Sequence, residues 1–182
     1  MADAAFYFDI AGPASYFAAE RAIATLGAPA QWIPVLQTQL GDPPPIDRDQ
    51  LAGGERELGL QPLRLPRAFP FDSRTAMLAA TYAKSIGRVV AFSQAAFRQA
   101  YAGGHDLSDE NYVLIAAAAC EMHPRAVLAA LRSTLVASAL ERACGEAREA
   151  GVRTLPAMRV DGDIFEGPAL LELAAARIAS AA

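Results

Sequence analysis

Residues 5–10, AFYFDI, constrain this chain more than any other stretch. They are aromatic, β-prone and mostly apolar, as a strand buried on both faces must be. Gly12-Pro13 follow at once. Proline suits the first turn of a helix, where its missing N–H has no helical partner to lose. Tyr16, Ala19, Ile23 and Leu26 then recur at helical spacing, and Gly27 ends the run. A second strand is predicted over 30–36, AQWIPVL. Pro34 places it at a sheet edge or ends it early, because proline cannot donate to a ladder. The chain therefore opens β-α-β, with a helix N-terminus set directly after a strand. The free N–H groups and dipole of that junction favour negative charge. The position where a reactive side chain would stand is Gly12.

The stretch LGDPPPIDRD, 40–49, breaks the pattern, since consecutive prolines cannot be helical. It is predicted to be the exit from a first lobe. Gln50–Leu58 is predicted as a short helix or turn, and 60–72 as Pro-punctuated extended chain. Helices follow. The hydrophobic share is 53%, much of it alanine, the best helix former. One helix is predicted from Asp72 or Ser73 to Ile86, and another over Val89–Tyr101. A third starts at Ser108, with Tyr112, Ile115, Ala116 and Ala119 on its apolar face. A fourth starts at Pro124, with Val127, Leu128 and Leu131 inward. A long fifth starts at Ser133, striped by Val136, Ala139, Leu140, Ala143 and Ala147. The tail changes character. TLPAMRV (154–160), an Asp161-Gly162 hairpin signal, DIFEG (163–167) and a helix from Pro168 read as β-β-α.

The two ends sum to a small mixed sheet flanked by helices. The predicted class is α/β in two parts. Residues 1–40 with 133–182 form the sheet domain, and 41–132 form an inserted all-helical domain.

Net charge is −4 and the pI about 5.2, with no basic run, which argues against a nucleic-acid partner. No apolar run reaches spanning length, so no membrane partner is expected. The N-terminus MADAAFYFDI lacks the basic n-region and long h-region of a secretory signal, and a cytoplasmic location is expected. Cys120 and Cys144 form no CxxC, which removes the usual dithiol redox centre. Each lies in an alanine-rich helical pattern and is expected as a small buried residue. His105 and His123 flank helix starts, outside any metal-ligand spacing, so no metal is expected.

Several short motifs recur in a characteristic order. Phe6-Tyr7-Phe8-Asp9 leads to Gly12-Pro13-Ala14-Ser15-Tyr16, then to Gly41-Asp42-Pro43-Pro44-Pro45. Leu65-Pro66-Arg67-Ala68-Phe69-Pro70 precedes Asp72-Ser73-Arg74, and Asp106-Leu107-Ser108-Asp109 opens a helix. Leu155-Pro156, Val160-Asp161-Gly162 and Phe165-Glu166-Gly167 close the set. In this order and spacing the chain resembles the DsbA-like superfamily. Within it, the resemblance is to the 2-hydroxychromene-2-carboxylate isomerase and kappa-class glutathione transferase branch, over nearly the whole length.

That resemblance implies a thioredoxin-like fold with an inserted helical domain, and glutathione as cofactor. It implies a thiolate that adds to a double bond of an unsaturated aromatic acid, permits rotation and leaves. Gly12 and Ser15 take the catalytic positions. Asp42, Leu155, Pro156, Pro168 and Ala169 take the cofactor-binding positions, and Tyr16 borders the substrate. Pro156 is expected to be cis, which costs little before proline and turns the backbone of Leu155 toward the cofactor like an added strand. Three positions depart from the family pattern: Gly12 replaces a serine, Asp42 an asparagine, and Pro168-Ala169 a polar-acidic pair. Related proteins are often dimers, but no homodimer interface is legible in the sequence.

Plainer readings stand beside these. Ser15 also reads as an N-terminal cap, Gly12 as a tight-turn residue, Tyr16 as core, and Arg153 as a solvated charge rather than a contact for an acidic substrate. The alternative for the whole chain is a non-catalytic thioredoxin-fold binding protein. The missing CxxC disfavours a dithiol oxidoreductase.

Overall fold

The computed structural model describes residues 2–42, 45 and 59–181. The expectations for Pro43, Pro44 and Gln50–Leu58 lie outside the described residues.

The aromatic run forms strand β1, Ala4–Phe8, buried along its whole length. It is shorter than the predicted 5–10 because Asp9 turns the chain. The Asp9 carboxylate accepts the Ala11 N–H at 2.9 Å, and its carbonyl accepts the Gly12 N–H at 3.0 Å. Helix α1, Pro13–Leu26, starts there and ends at Gly27 with φ 62°. Strand β2, Gln31–Pro34, pairs parallel to β1, with Ala5 opposite Gln31. Strands β3, Ala157–Val160, and β4, Asp163–Glu166, form a hairpin. Its turn takes Asp161 and Gly162 at φ 51° and 96°, the left-handed pair the Asp-Gly signal implied. β3 runs antiparallel to β1, with Tyr7 opposite Ala157. The sheet order is β2-β1-β3-β4, so Pro34 lies on an edge strand, as its missing donor requires.

Between β2 and β3 lie α2 (Arg74–Ser85), α3 (Val89–Tyr101), α4 (Glu110–Ala118), α5 (Pro124–Leu131) and α6 (Thr134–Glu149). Helix α7, Leu170–Ser180, closes the chain. It packs on β3, β4 and α1, while α2 and α6 pack against β2. Helix α3 joins α1 to α2. One buried cluster runs through sheet and inserted helices together. Phe8 meets Phe97 of α3 with ring centroids 5.9 Å apart, and Trp32 stands edge-on to Phe6 at 4.9 Å. The two parts therefore share a core.

Helix ends and faces differ from expectation in particular places. Asp109, not Ser108, caps α4 by accepting the Asn111 N–H at 2.8 Å. Helix α7 begins at Leu170, two residues after Pro168. Ile23 on α1 and Ile115 on α4 are exposed, at 61% and 50%. The small residues Ala18, Ala19 and Ala22 line the buried face of α1, and Val113, Ala116 and Ala117 that of α4. Cys120 and Cys144 are buried, as expected.

Candidate active site

The site is built where β1 delivers the chain to α1. Gly12 is the N-cap of α1 and no side chain caps the helix. Pro13 carries no N–H. The N–H groups of Ala14 and Ser15 precede the first helical bond, Tyr16 N–H to Gly12 O at 3.2 Å. Ala14 is exposed. Gly12 has φ −94° and ψ 111°, an extended conformation open to any residue, so the backbone does not require glycine there.

A buried polar frame holds this turn in place. Asp9 is 3% exposed and accepts from the N–H groups of Ala11 and Gln37, each at 2.9 Å, with the Ser73 hydroxyl beside it. Burial pushes its pKa above the ordinary aspartate value, against these hydrogen bonds, which lower it. The Tyr101 hydroxyl donates to the Ile10 carbonyl at 3.0 Å, and burial holds its pKa well above the usual tyrosine value.

Leu155-Pro156 is cis, as expected, and both residues are buried. The register of Tyr7 opposite Ala157 sets this bend beside the end of β1. Gln37, in a single 3-10 turn after β2, spans the gap. Its Oε1 accepts the Leu155 N–H at 2.8 Å, and its Nε2 donates to the Arg153 carbonyl at 3.1 Å. Glu166 on β4 accepts the N–H groups of Arg153 and Thr154 with one oxygen, at 2.7 and 2.9 Å.

The positions predicted from sequence fall in three places. Gly12 and Ser15 lie at the start of α1, and Leu155 and Pro156 lie beside the end of β1, linked to Asp9 through Gln37. Ser15 is fully buried, and its Oγ accepts the Asp9 N–H at 3.5 Å. It thus braces the preceding turn and does not cap the helix. Tyr16 is 3% exposed, its ring stacked on Tyr101 at 5.5 Å and set against Phe97. Burial raises its pKa, with the Glu20 charge adding to the rise and Arg98 opposing it. Asp42, Pro168 and Ala169 are exposed. Arg153 donates to the carbonyls of Arg148 and Val152 at 2.8 and 2.9 Å, near the C-terminus of α6. Cys120 and Cys144 are held protonated by burial, so neither offers a ready thiolate.

Gln37 and the framing role of Asp9 escaped the sequence reading. A lone carboxylate ending an apolar strand was the available signal for Asp9. Gln37 had only its place after a hydrophobic strand. The cis bond at Phe69-Pro70 was also unforeseen.

Residues 5–179 match the DSBA-like thioredoxin domain. The chain belongs to that family. Among solved structures this DsbA-like chain is similar to a 2-hydroxychromene-2-carboxylate isomerase, with a TM-score of 0.85 and 18% identity, covering 98% of this chain and 95% of that one. A probable DsbA oxidoreductase from Streptomyces coelicolor gives a TM-score of 0.80 at 17% identity, covering 100% and 90%. A cytosolic disulfide reductase, DsbM, from Pseudomonas aeruginosa, solved with GSH, gives 0.68 at 14%, covering 98% of each chain. At these identities the likeness establishes the fold. No curated protein matches the sequence. Among the described residues no cluster suited to a metal occurs, and no helix is long and apolar enough to cross a membrane.

Proposed function

We propose that this chain is a glutathione-dependent isomerase-like or transferase-like protein acting on an unsaturated aromatic acid. The observation that carries the proposal is the uncapped N-terminus of α1, tied through Asp9 and Gln37 to the Leu155-Pro156 bend, in a fold shared with the isomerase. Bound glutathione supplies a thiol that adds to a conjugated double bond, lets it rotate and leaves, with no net redox change.

The backbone groups present fit such a ligand. The Ala14 and Ser15 N–H groups with the α1 dipole lower the pKa of a thiol placed against them. The Leu155 N–H beside the bend is held by Gln37, so a ligand pairs with it by displacing that amide. The side chains fit less fully. Pro168 and Ala169 offer no polar side-chain atom for the ligand's glutamyl end, and Asp42 sets a negative charge on an exposed turn. Ser15 supports the site through Asp9 rather than by reaching solvent. Binding therefore leans on main-chain contacts, and glutathione affinity is weak.

A second reading, a binding protein without catalysis, is favoured by one observation: residue 12 carries no hydroxyl, and that of Ser15 is buried and accepts the Asp9 N–H. An assay separates the two. The protein is incubated with 2-hydroxychromene-2-carboxylate with and without reduced glutathione, and the absorbance change of isomerisation is followed. Turnover that requires glutathione supports the enzyme reading. Glutathione binding without turnover on this and related unsaturated aromatic acids supports the binding protein.

A further inference from the structure

We propose that Gln37 sets which ligands this site admits, because its side-chain amide already holds the backbone groups that a strand-like ligand would pair with. The inference rests on the glutathione reading and deepens it.

The β1–β3 ladder ends at Tyr7 opposite Ala157. Asp9 then turns β1 away, while residues 153–155 continue past its end. Among the described residues no strand pairs with them, and the Gln37 amide bonds there instead. It accepts from the Leu155 N–H and donates to the Arg153 carbonyl. Bonding to the N–H of one residue and the carbonyl two residues earlier is what a single residue does in a parallel ladder. The side chain thus acts as one residue of an added strand.

The amide is well placed for this. Gln37 is 8% exposed, and its own N–H is fixed on Asp9 Oδ2 at 2.9 Å. The N–H groups of Arg153 and Thr154 are held separately by Glu166. All three donors ahead of the cis bond are therefore committed to side chains of this chain. A ligand that binds by strand addition has to displace Gln37. A ligand held only by its acidic group at the start of α1 does not. Peptide-like ligands, glutathione among them, are disfavoured relative to small acids.

The sign of one mutation tests this. Gln37→Met keeps the length and loses both hydrogen bonds. Gln37→Glu keeps an acceptor for the Leu155 N–H. Reduced glutathione is titrated into each 15N-labelled protein, with the Leu155 amide resonance as reporter and Gly-Ala-Gly as a thiol-free probe. Gln37→Met is expected to bind glutathione roughly threefold to tenfold more tightly than wild type, the loss of one intramolecular competitor. The Leu155 resonance moves with it, and Gln37→Glu shows no gain. Equal or weaker binding by Gln37→Met overturns the inference while leaving the glutathione reading intact, since a bracing role alone predicts loss. If neither protein binds glutathione, that reading fails, and the tripeptide decides the role of Gln37. A Leu155 shift with Gly-Ala-Gly in Gln37→Met but not in wild type upholds the inference, and no shift in either overturns it. Should Gln37→Met fail to fold, Gln37→Asn, whose amide is too short to reach, reads out the same sign.

Discussion

The carboxylate of Asp9 accepts the backbone N–H of Gln37 at 2.9 Å, fastening the end of β1 to the turn that follows β2. Through Gln37 the same contact reaches the Leu155 N–H. A buried acid thereby connects the helix start and the cis-proline bend, the two halves of the candidate site.

Asp9 gives stability a pH dependence of definite sign. Its folded pKa is raised, with burial as the largest cause. A carboxyl with a raised folded pKa holds its proton more tightly in the native state. Its stabilising contribution is full below the unfolded pKa and is lost as pH rises through the folded one, at most about 1.4 kcal/mol per pH unit. Denaturant unfolding of wild type and Asp9→Asn from acid to neutral pH checks this. The stability of wild type relative to the variant is expected to fall as pH rises, and a rising difference would contradict the assignment.

Gly12 and Ser15 are expected to couple. A Cβ built at Gly12 lies 3.3 Å from Ser15 Oγ, tighter than ordinary contact, and 3.4 Å from the Asp9 carbonyl. A serine at position 12 gains a cap of a few tenths of a kcal/mol over glycine but crowds a fully buried hydroxyl, at roughly 1 kcal/mol. Gly12→Ser should therefore be mildly destabilising alone and less so in a Ser15→Ala background. A double-mutant cycle by thermal unfolding reads the difference, and strict additivity would show that the neighbour yields freely.

Removing the Tyr101 hydroxyl should loosen the turn before α1. Tyr101→Phe leaves the Ile10 carbonyl without its buried donor. The expected loss is about 1–2 kcal/mol, measured by urea unfolding. A change near zero would mean that the carbonyl finds another partner.

Glu166→Ala should free the N–H groups of Arg153 and Thr154, both now held by one oxygen. Hydrogen exchange at these two amides is expected to quicken selectively, with a global loss of roughly 1 kcal/mol. Unchanged exchange would remove Glu166 from the support of the bend.

Much of the architecture was legible in the sequence because its signals are local. Pro34 marked an edge strand or an early strand end, Asp161-Gly162 marked a hairpin, and His123 flanks a helix start, where it accepts the Arg125 N–H at 3.2 Å. Strand ends were less legible. The β-prone run continues to Ile10, yet Asp9 ends the ladder through bonds to residues 2 and 28 positions away. The same holds for the site. The Leu155-Pro156 bend could be placed by motif, whereas the Gln37 contact spans 118 positions and leaves no trace in local pattern. Ser15 failed as a cap because the helix begins at Pro13, which leaves Ser15 turned into the core.

The most direct test is calorimetric titration of the wild type with reduced glutathione. The account predicts weak, millimolar binding. No binding to wild type at several millimolar would contradict the glutathione chemistry proposed for this fold.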